Sequence, residues 1–266
     1  MGHYSIHFSP TGGTRKVADI LVEGLQGEYQ QFDLCHEIDS IKLNEGDVCL
    51  ISVPSYGGRV PAIAIDRLKK VTGNGAKAVL NCVYGNRAWE DTLTELQDTL
   101  EGQEFVCVAA LATVAEHSIF RQFATGRPDD EDKAELFEMA GRIQDRLDAD
   151  FRGKLELEGS HCTYKVFGGT PLKPTGNDDC SGCGLCAREC PVGAIDPNNP
   201  KNTILDKCIS CMRCIGICPK GARNVDQNLW NMMAEKMAPV LGGGRSRLDL
   251  QLFVLHRRNK GSARRC

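Results

Sequence analysis

Short apolar runs alternate with amphipathic stretches over the first 150 residues. His3–Phe8, Val48–Pro54, Ala76–Tyr84 and Glu104–Val114 are rich in Val, Ile, Leu, Cys and Ala, and a weaker run covers Gln31–Cys35. Continuous apolar runs of this length predict strands covered on both faces. Between them, Val17, Ile20, Leu21 and Leu25 recur at helical spacing within Arg15–Leu25, and Leu93, Leu96 and Leu100 mark another helix. Pro61 is expected at the first position of a further helix, where its missing N–H costs nothing. Asp129–Asp132 precede Leu136, Ala140, Ile143 and Leu147, which predicts a long helix with negative charge at its positive pole. Five strands alternating with helices predict an α/β unit, a parallel sheet with helices on both faces.

The pattern then lapses. Gly153, Gly159, Gly168, Gly169, Pro171, Pro174 and Gly176 punctuate a stretch without sustained periodicity, read as a connector over 151–177. Beyond residue 225, Leu229, Met233 and Met237 suggest a short amphipathic helix, broken by Gly242-Gly243-Gly244. Leu250–Leu255 would add a strand or pack on a neighbour. This tail, 226–266, carries eight Lys/Arg against three Asp/Glu, while the whole chain has a net charge of -3. It lacks the interleaved aromatics of a nucleic-acid surface, so a solvated face is expected and no nucleic-acid partner.

Composition narrows the class. With 41% hydrophobic and 25% charged residues in 266, the chain is not wholly disordered. No stretch approaches the ~20 apolar residues of a membrane span. Met1-Gly2-His3-Tyr4 does not open a secretory signal, so the expected location is cytoplasmic, where disulfides are rare. Fourteen cysteines there call for another explanation, and metal is the usual one.

Eight of them form an internal repeat of period 28. Cys180, Cys183, Cys186, Cys190, Pro191, Gly193 and Ala194 recur as Cys208, Cys211, Cys214, Cys218, Pro219, Gly221 and Ala222. Each half reads C-x2-C-x2-C-x3-C-P, the run that holds [4Fe–4S] clusters with the fourth cysteine given to the other cluster. Three closely spaced thiolates wrap one cluster, and the fourth is directed away. Cys180, Cys183, Cys186 and Cys218 are therefore expected on one cluster, and Cys190, Cys208, Cys211 and Cys214 on the second. Gly182, Gly184 and Gly216 leave room for close backbone approach. Zinc sites need only four ligands, commonly in paired C-x2-C units, and do not call for this repeat. Residues 178–225 resemble the bacterial two-cluster ferredoxins, with one departure. Arg223 replaces the expected apolar residue, a change that would shift a cluster's potential or meet a partner.

After the first apolar run comes Ser9-Pro10-Thr11-Gly12-Gly13-Thr14 and then a helix. A helix N-terminus flanked by hydroxyls suits a phosphate monoester, and no Lys-Ser/Thr closes the loop as in nucleotide P-loops. A plain helix cap is the bland alternative. The loop resembles the phosphate loop of flavodoxins. That resemblance implies a five-stranded parallel sheet of order 2-1-3-4-5 over 1–150, with FMN at the carboxyl ends of the strands. It also implies flavin contacts from Pro54, Ser55, Tyr56, Gly57 and Gly58, and from Tyr84, Gly85, Asn86, Arg87 and Trp89. Trp89 and the tyrosines serve equally well as core packing, and Arg59 and Arg87 as solvated charges. His7 and His117 are further candidates for the flavin site. The whole chain resembles the EFR1-type flavodoxin–ferredoxin fusion proteins, through Tyr84-Gly85-Asn86-Arg87 and Gly126-Arg127-Pro128-Asp129 as well.

The implied organisation is a flavodoxin-like FMN-binding domain (1–150), a connector (151–177), an α+β 2[4Fe–4S] ferredoxin domain (178–225) and a basic C-terminal tail (226–266). The implied function is electron transfer between FMN, two [4Fe–4S] clusters and a redox partner protein. No catalytic residue is assigned. A flavin-dependent reductase of a quinone or similar small molecule is the second reading, and a cluster-based redox sensor or binding protein the third. Cys35, Cys49, Cys82 and Cys107 fall in core segments and act as small hydrophobes. Cys162 and Cys266 have no assigned task.

Overall fold

Each main apolar run becomes a strand: β1 (His3–His7), β2 (Tyr29–Asp33), β3 (Val48–Pro54), β4 (Lys77–Tyr84) and β5 (Val106–Val114). The computed structural model describes residues 1–149, 155–241 and the backbone of 251–253. The five strands are parallel in the order 2-1-3-4-5, with His3 level with Tyr29 on one side and Val48 on the other. This is the flavodoxin-like order. β2 starts two residues before the run read from the sequence and ends at Asp33 rather than Cys35.

The helices between them are α1 (Gly13–Gly24), α2 (Ala62–Leu68), α3 (Thr92–Gly102) and α4 (Asp130–Asp148). Pro61 is the N-cap of α2, one position earlier than expected. Two cores flank the sheet. Ile6, Ile51, Leu80 and Ala110 meet Leu68 and Leu96 on one face. Leu50, Val79 and Leu111 meet Leu21, Leu136 and Ile143 on the other. The acidic start of α4 is a reciprocal cap. The Asp129 carboxylate accepts from the Glu131 and Asp132 N–H groups at 3.1 Å, and Asp132 accepts from Asp129 N–H at 3.0 Å. Cys35, Cys49, Cys82 and Cys107 are buried in the first core, and burial pushes the thiols of the first three up.

The connector is not a free tether. Leu155 and Leu157 enter the first core. The Asp98 carboxylate of α3 pairs with His161 at 2.7 Å and accepts from the Tyr164 hydroxyl. Cys162, given no task above, is disulfide-bonded.

The cysteine repeat forms a small unit with β6 (Thr175–Gly176), α5 (Leu185–Arg188), α6 (Arg213–Gly216) and β7 (Arg223–Asn224). β6 and β7 pair antiparallel and close it. The amphipathic segment of the tail is α7 (Gln227–Leu241), whose Leu229, Met233 and Met237 pack in a third cluster with Phe120 and Leu172. Part of Leu250–Leu255 does add a strand: β8 (Gln251–Phe253) runs antiparallel along β5 at the sheet edge. The Gly242–Gly244 break, the basic residues of 245–265, Cys266 and Gly153 lie outside the described residues. Among the described residues no helix is long and apolar enough to cross a membrane.

Candidate functional site

The loops leaving the carboxyl ends of β1, β3, β4 and β5 converge on one cavity of about 280 Å³. The 9–14 loop supplies Pro10, Thr11, Gly13 and Thr14 to its wall. Gly12 holds left-handed backbone (φ 89) as the N-cap of α1 and offers no side chain to the helix. The Gly13 and Thr14 N–H groups have no acceptor among the described residues, and both residues line the cavity at a positive helix end. Ser9 differs from expectation. Its hydroxyl is turned inward, accepting from Arg15 N–H at 2.9 Å, and it does not line the cavity. Ser9 thus satisfies an N–H of the first turn from outside the N-cap position, while Thr11 and Thr14 line the cavity.

The next two loops contribute Pro54, Ser55, Tyr56, Gly57, Tyr84, Gly85 and Arg87. Three expected members are elsewhere. Trp89 packs edge-on against Tyr84, ring centroids 5.2 Å apart, as part of the first core. Asn86 donates to the Leu241 carbonyl at the end of α7, at 2.7 Å. A side chain at Gly58 would strike Glu90, so that glycine serves loop packing. Arg59 is held by Glu95 at 2.6 Å and lies outside the wall. Arg87 lines the cavity and pairs with Glu90 at 2.9 Å.

Of the two histidines, only His117 reaches the site. Its ring lies over Gly85, where a Cβ would meet it at 2.7 Å. Its Nδ1 accepts from the Ile119 and Phe120 N–H groups, each at 3.1 Å. Those two donors place the ring proton on Nε2. Burial, aided by the Arg87 charge, pushes the His117 pKa down to about 4, so the ring is neutral. His7 is buried in the sheet, its two nitrogens have no partner among the described residues, and it does not line the cavity.

The roof comes from residues the sequence did not assign to the site. Phe167 and Thr170 of the connector, and Met233 and Met237 of α7, close over the strand ends. The α7 helix is pinned there because Trp230 Nε1 donates to the Ile119 carbonyl at 3.0 Å. Ile209 and Ser210 complete the wall, and both lie between Cys208 and Cys211. Ser210 carries a signal that was legible. It stands at the Gly182 position of the repeat and keeps a glycine-like φ of 54. Its hydroxyl is buried without a partner among the described residues.

The eight repeat cysteines divide between two further cavities. One is lined by Cys180, Cys183, Cys186 and Cys218, the other by Cys190, Cys208, Cys211 and Cys214. Each fourth thiol has crossed to the opposite set. Among the described residues no three His, Cys, Asp or Glu side chains converge as ligands of a single ion; each quartet instead surrounds a space, as a cluster requires. The Cys190 and Cys218 sulfurs already accept from the Ala194 and Ala222 N–H groups at 3.2 and 3.3 Å. Arg223 is buried and lines both cavities, and its Nε–H has no partner among the described residues. That orphaned donor fits an anionic occupant. Cys183 is exposed, whereas Cys186 and Cys211 are buried.

The sulfur-bearing unit is fastened to the sheet. Arg67 of α2 is buried and donates to the Leu34 carbonyl at 2.7 Å and to the Pro191 carbonyl at 2.9 Å. Arg213 of α6 binds Glu189 at 2.5 Å and reaches His36 at 3.3 Å.

Residues 179–223 match the family described as a 4Fe-4S dicluster domain. Among curated proteins none matches the chain. Among solved structures, rubredoxin oxygen:oxidoreductase from Desulfovibrio gigas aligns at 16% identity over 56% of this chain, with a TM-score of 0.41. This chain spans only 36% of that protein. Oxidised flavodoxin 1 from Bacillus cereus aligns at 16% identity, over 54% of this chain and 97% of its own, with a TM-score of 0.39. A flavodoxin from Streptococcus pneumoniae TIGR4 aligns at 16% identity, over 57% and 100%, with a TM-score of 0.34. The chain thus joins a flavodoxin-like α/β unit, defined by its strand order, to a ferredoxin-type 4Fe–4S segment.

Proposed function

We propose that the chain moves electrons between an FMN in the 280 Å³ cavity and two [4Fe–4S] clusters in the thiol cavities. The observation that carries this reading is the position of Ile209 and Ser210. They belong to the loop of one thiol set and to the wall of the cavity formed by the strand-end loops. A bound flavin supplies exchange between two-electron and one-electron carriers, and the clusters carry single electrons. The chain's own residues do the rest. Thr11, Thr14 and the amides of Gly13 and Thr14 hold the phosphate. Tyr56, Tyr84 and Phe167 enclose the ring, and His117 Nε2–H offers it a fixed donor.

The thiol positions imply an order. Cys190, Cys208, Cys211 and Cys214 hold the cluster beside the flavin. Cys180, Cys183, Cys186 and Cys218 hold the outer one, and exposed Cys183 marks where a redox partner protein exchanges electrons. The test is anaerobic purification, with iron, flavin and EPR measured during stepwise reduction. One FMN and about eight irons, as two four-iron clusters need, are expected. A protein holding zinc and no iron would overturn the reading.

One observation favours a second reading. Phe120, Met233 and Met237 give the cavity an apolar wall suited to a small aromatic oxidant. Rapid turnover of NAD(P)H with a quinone by the purified protein would favour that reductase; its absence favours the carrier.

A further inference from the structure

Arg223 departs from the sequence pattern at the place where an apolar residue was expected, and its exposure is 1%. It therefore meets no partner protein. Its guanidinium donates to the Pro200 carbonyl, to the Pro174 carbonyl at 2.7 Å and to the Thr203 hydroxyl, which are all neutral acceptors. It pairs with no carboxylate among the described residues, and Nε–H has no acceptor. A buried guanidinium keeps its charge at any working pH, and a buried charge without a counter-charge is strongly unfavourable. The anion must come from what flanks it. Arg223 lines the outer cavity together with Cys186 and the inner cavity together with Cys214.

Resting on the cluster assignment above, we propose that Arg223 is a shared cation that sets the reduction potentials of both clusters together. Four thiolates outweigh the positive charge of a four-iron core, so each ligated cluster is an anion and gains one more negative charge on reduction. A fixed positive charge between two such anions stabilises the reduced form of each. Charge and hydrogen bonds near the sulfurs are recognised determinants of cluster potential. Because the one guanidinium faces both cavities, its effect falls on the inner and outer clusters alike. A clasp joining Pro174, Pro200 and Thr203 would need the hydrogen bonds but not the charge.

The experiment is an anaerobic EPR-monitored redox titration of the full chain with its cofactors, comparing wild type with Arg223→Gln and Arg223→Lys. With the solution poised at each wild-type midpoint, Arg223→Gln is expected to lower the reduced-to-oxidised ratio of both clusters at least about tenfold, or 59 mV for a one-electron couple. Arg223→Lys keeps the charge and is expected to lower it by less than about threefold, under half that interval. An iron-loaded Gln protein with unchanged midpoints, or a shift in one cluster alone, overturns the proposal. If the Gln protein does not load iron, the Lys protein decides: midpoints held near wild type support the shared cation, and a tenfold displacement overturns it. Failure of both variants to load iron overturns it in favour of the clasp. Absence of iron from the wild type would instead defeat the cluster assignment itself.

Discussion

Ser210 and Gly182 occupy equivalent places in the two halves of the repeat, and both hold left-handed backbone, at φ 54 and 71. Met212 repeats the relationship with Gly184, at φ 62 and 71. A side chain in this conformation costs about 1–2 kcal/mol. The half of the repeat that lines the strand-end cavity bears that cost twice, and the other half does not. Ser210→Gly is expected to stabilise the chain by about 1 kcal/mol and to shift the midpoint of the bound flavin. Ser210→Ala would shift the flavin equally without the stability gain. Chemical unfolding and flavin potentiometry separate the two effects. Flavin midpoints identical to wild type in both variants would remove the hydroxyl from the flavin's surroundings.

His117 predicts a pH dependence. Its pKa is about 4 in the folded chain against an ordinary 6.5. As pH falls below 6.5 the unfolded chain takes up a proton that the folded chain refuses until about 4. Stability therefore declines across that window as the solution is acidified. The loss is at most about 3.5 kcal/mol, from ~1.4 kcal/mol per unit of displacement. His117→Asn can still accept from Ile119 and Phe120 but does not titrate. Its unfolding free energy should be flatter between those pH values, and a slope equal to wild type would contradict the neutral-ring assignment.

Arg67 predicts a loss of coupling between the two units. Arg67→Met strands the Leu34 and Pro191 carbonyls, at roughly 1–3 kcal/mol for each buried group left unpaired. Pro191 follows Cys190, so the inner thiol set loosens against the sheet. Stopped-flow absorbance should record slower electron exchange between flavin and clusters, with cofactor content unchanged. An unaltered rate would limit Arg67 to stability.

The phosphate loop predicts ligand selectivity. Thr11→Ala and Thr14→Ala each remove a hydroxyl near the charged phosphate, worth about 1.5–3 kcal/mol. FMN affinity should fall about tenfold or more for each, while riboflavin, which lacks the phosphate, binds as before. Fluorescence titration with both flavins checks this, and equal losses for the two would place the phosphate elsewhere.

The parts legible in the sequence were those with a period. Strands buried on both faces leave apolar runs, so β1 and β3–β5 were readable from where those runs fall along the chain. The cysteine repeat named both thiol quartets, because a 28-residue offset maps each ligand onto its counterpart. Parts made by distant packing left no such trace. Phe167, Met233 and Met237 meet over the strand ends only because the connector and α7 fold back there. Trp89 beside a glycine loop reads the same whether it faces a ligand or the core, and here it packs edge-on against Tyr84. Ser9 was inseparable from Thr11 and Thr14 until the direction of its hydroxyl was known.

The ferredoxin-type segment is bracketed by chain that belongs to the flavodoxin-like unit. Leu155 and Leu157 are sunk in the first core before it, and β8 rejoins the sheet after it. A domain on a single leash can swing away and deliver electrons as a shuttle. One anchored at both ends is held at a high and constant effective concentration beside its flavin. Internal electron exchange should then be independent of protein concentration, leaving the encounter with an outside partner as the step that dilution slows.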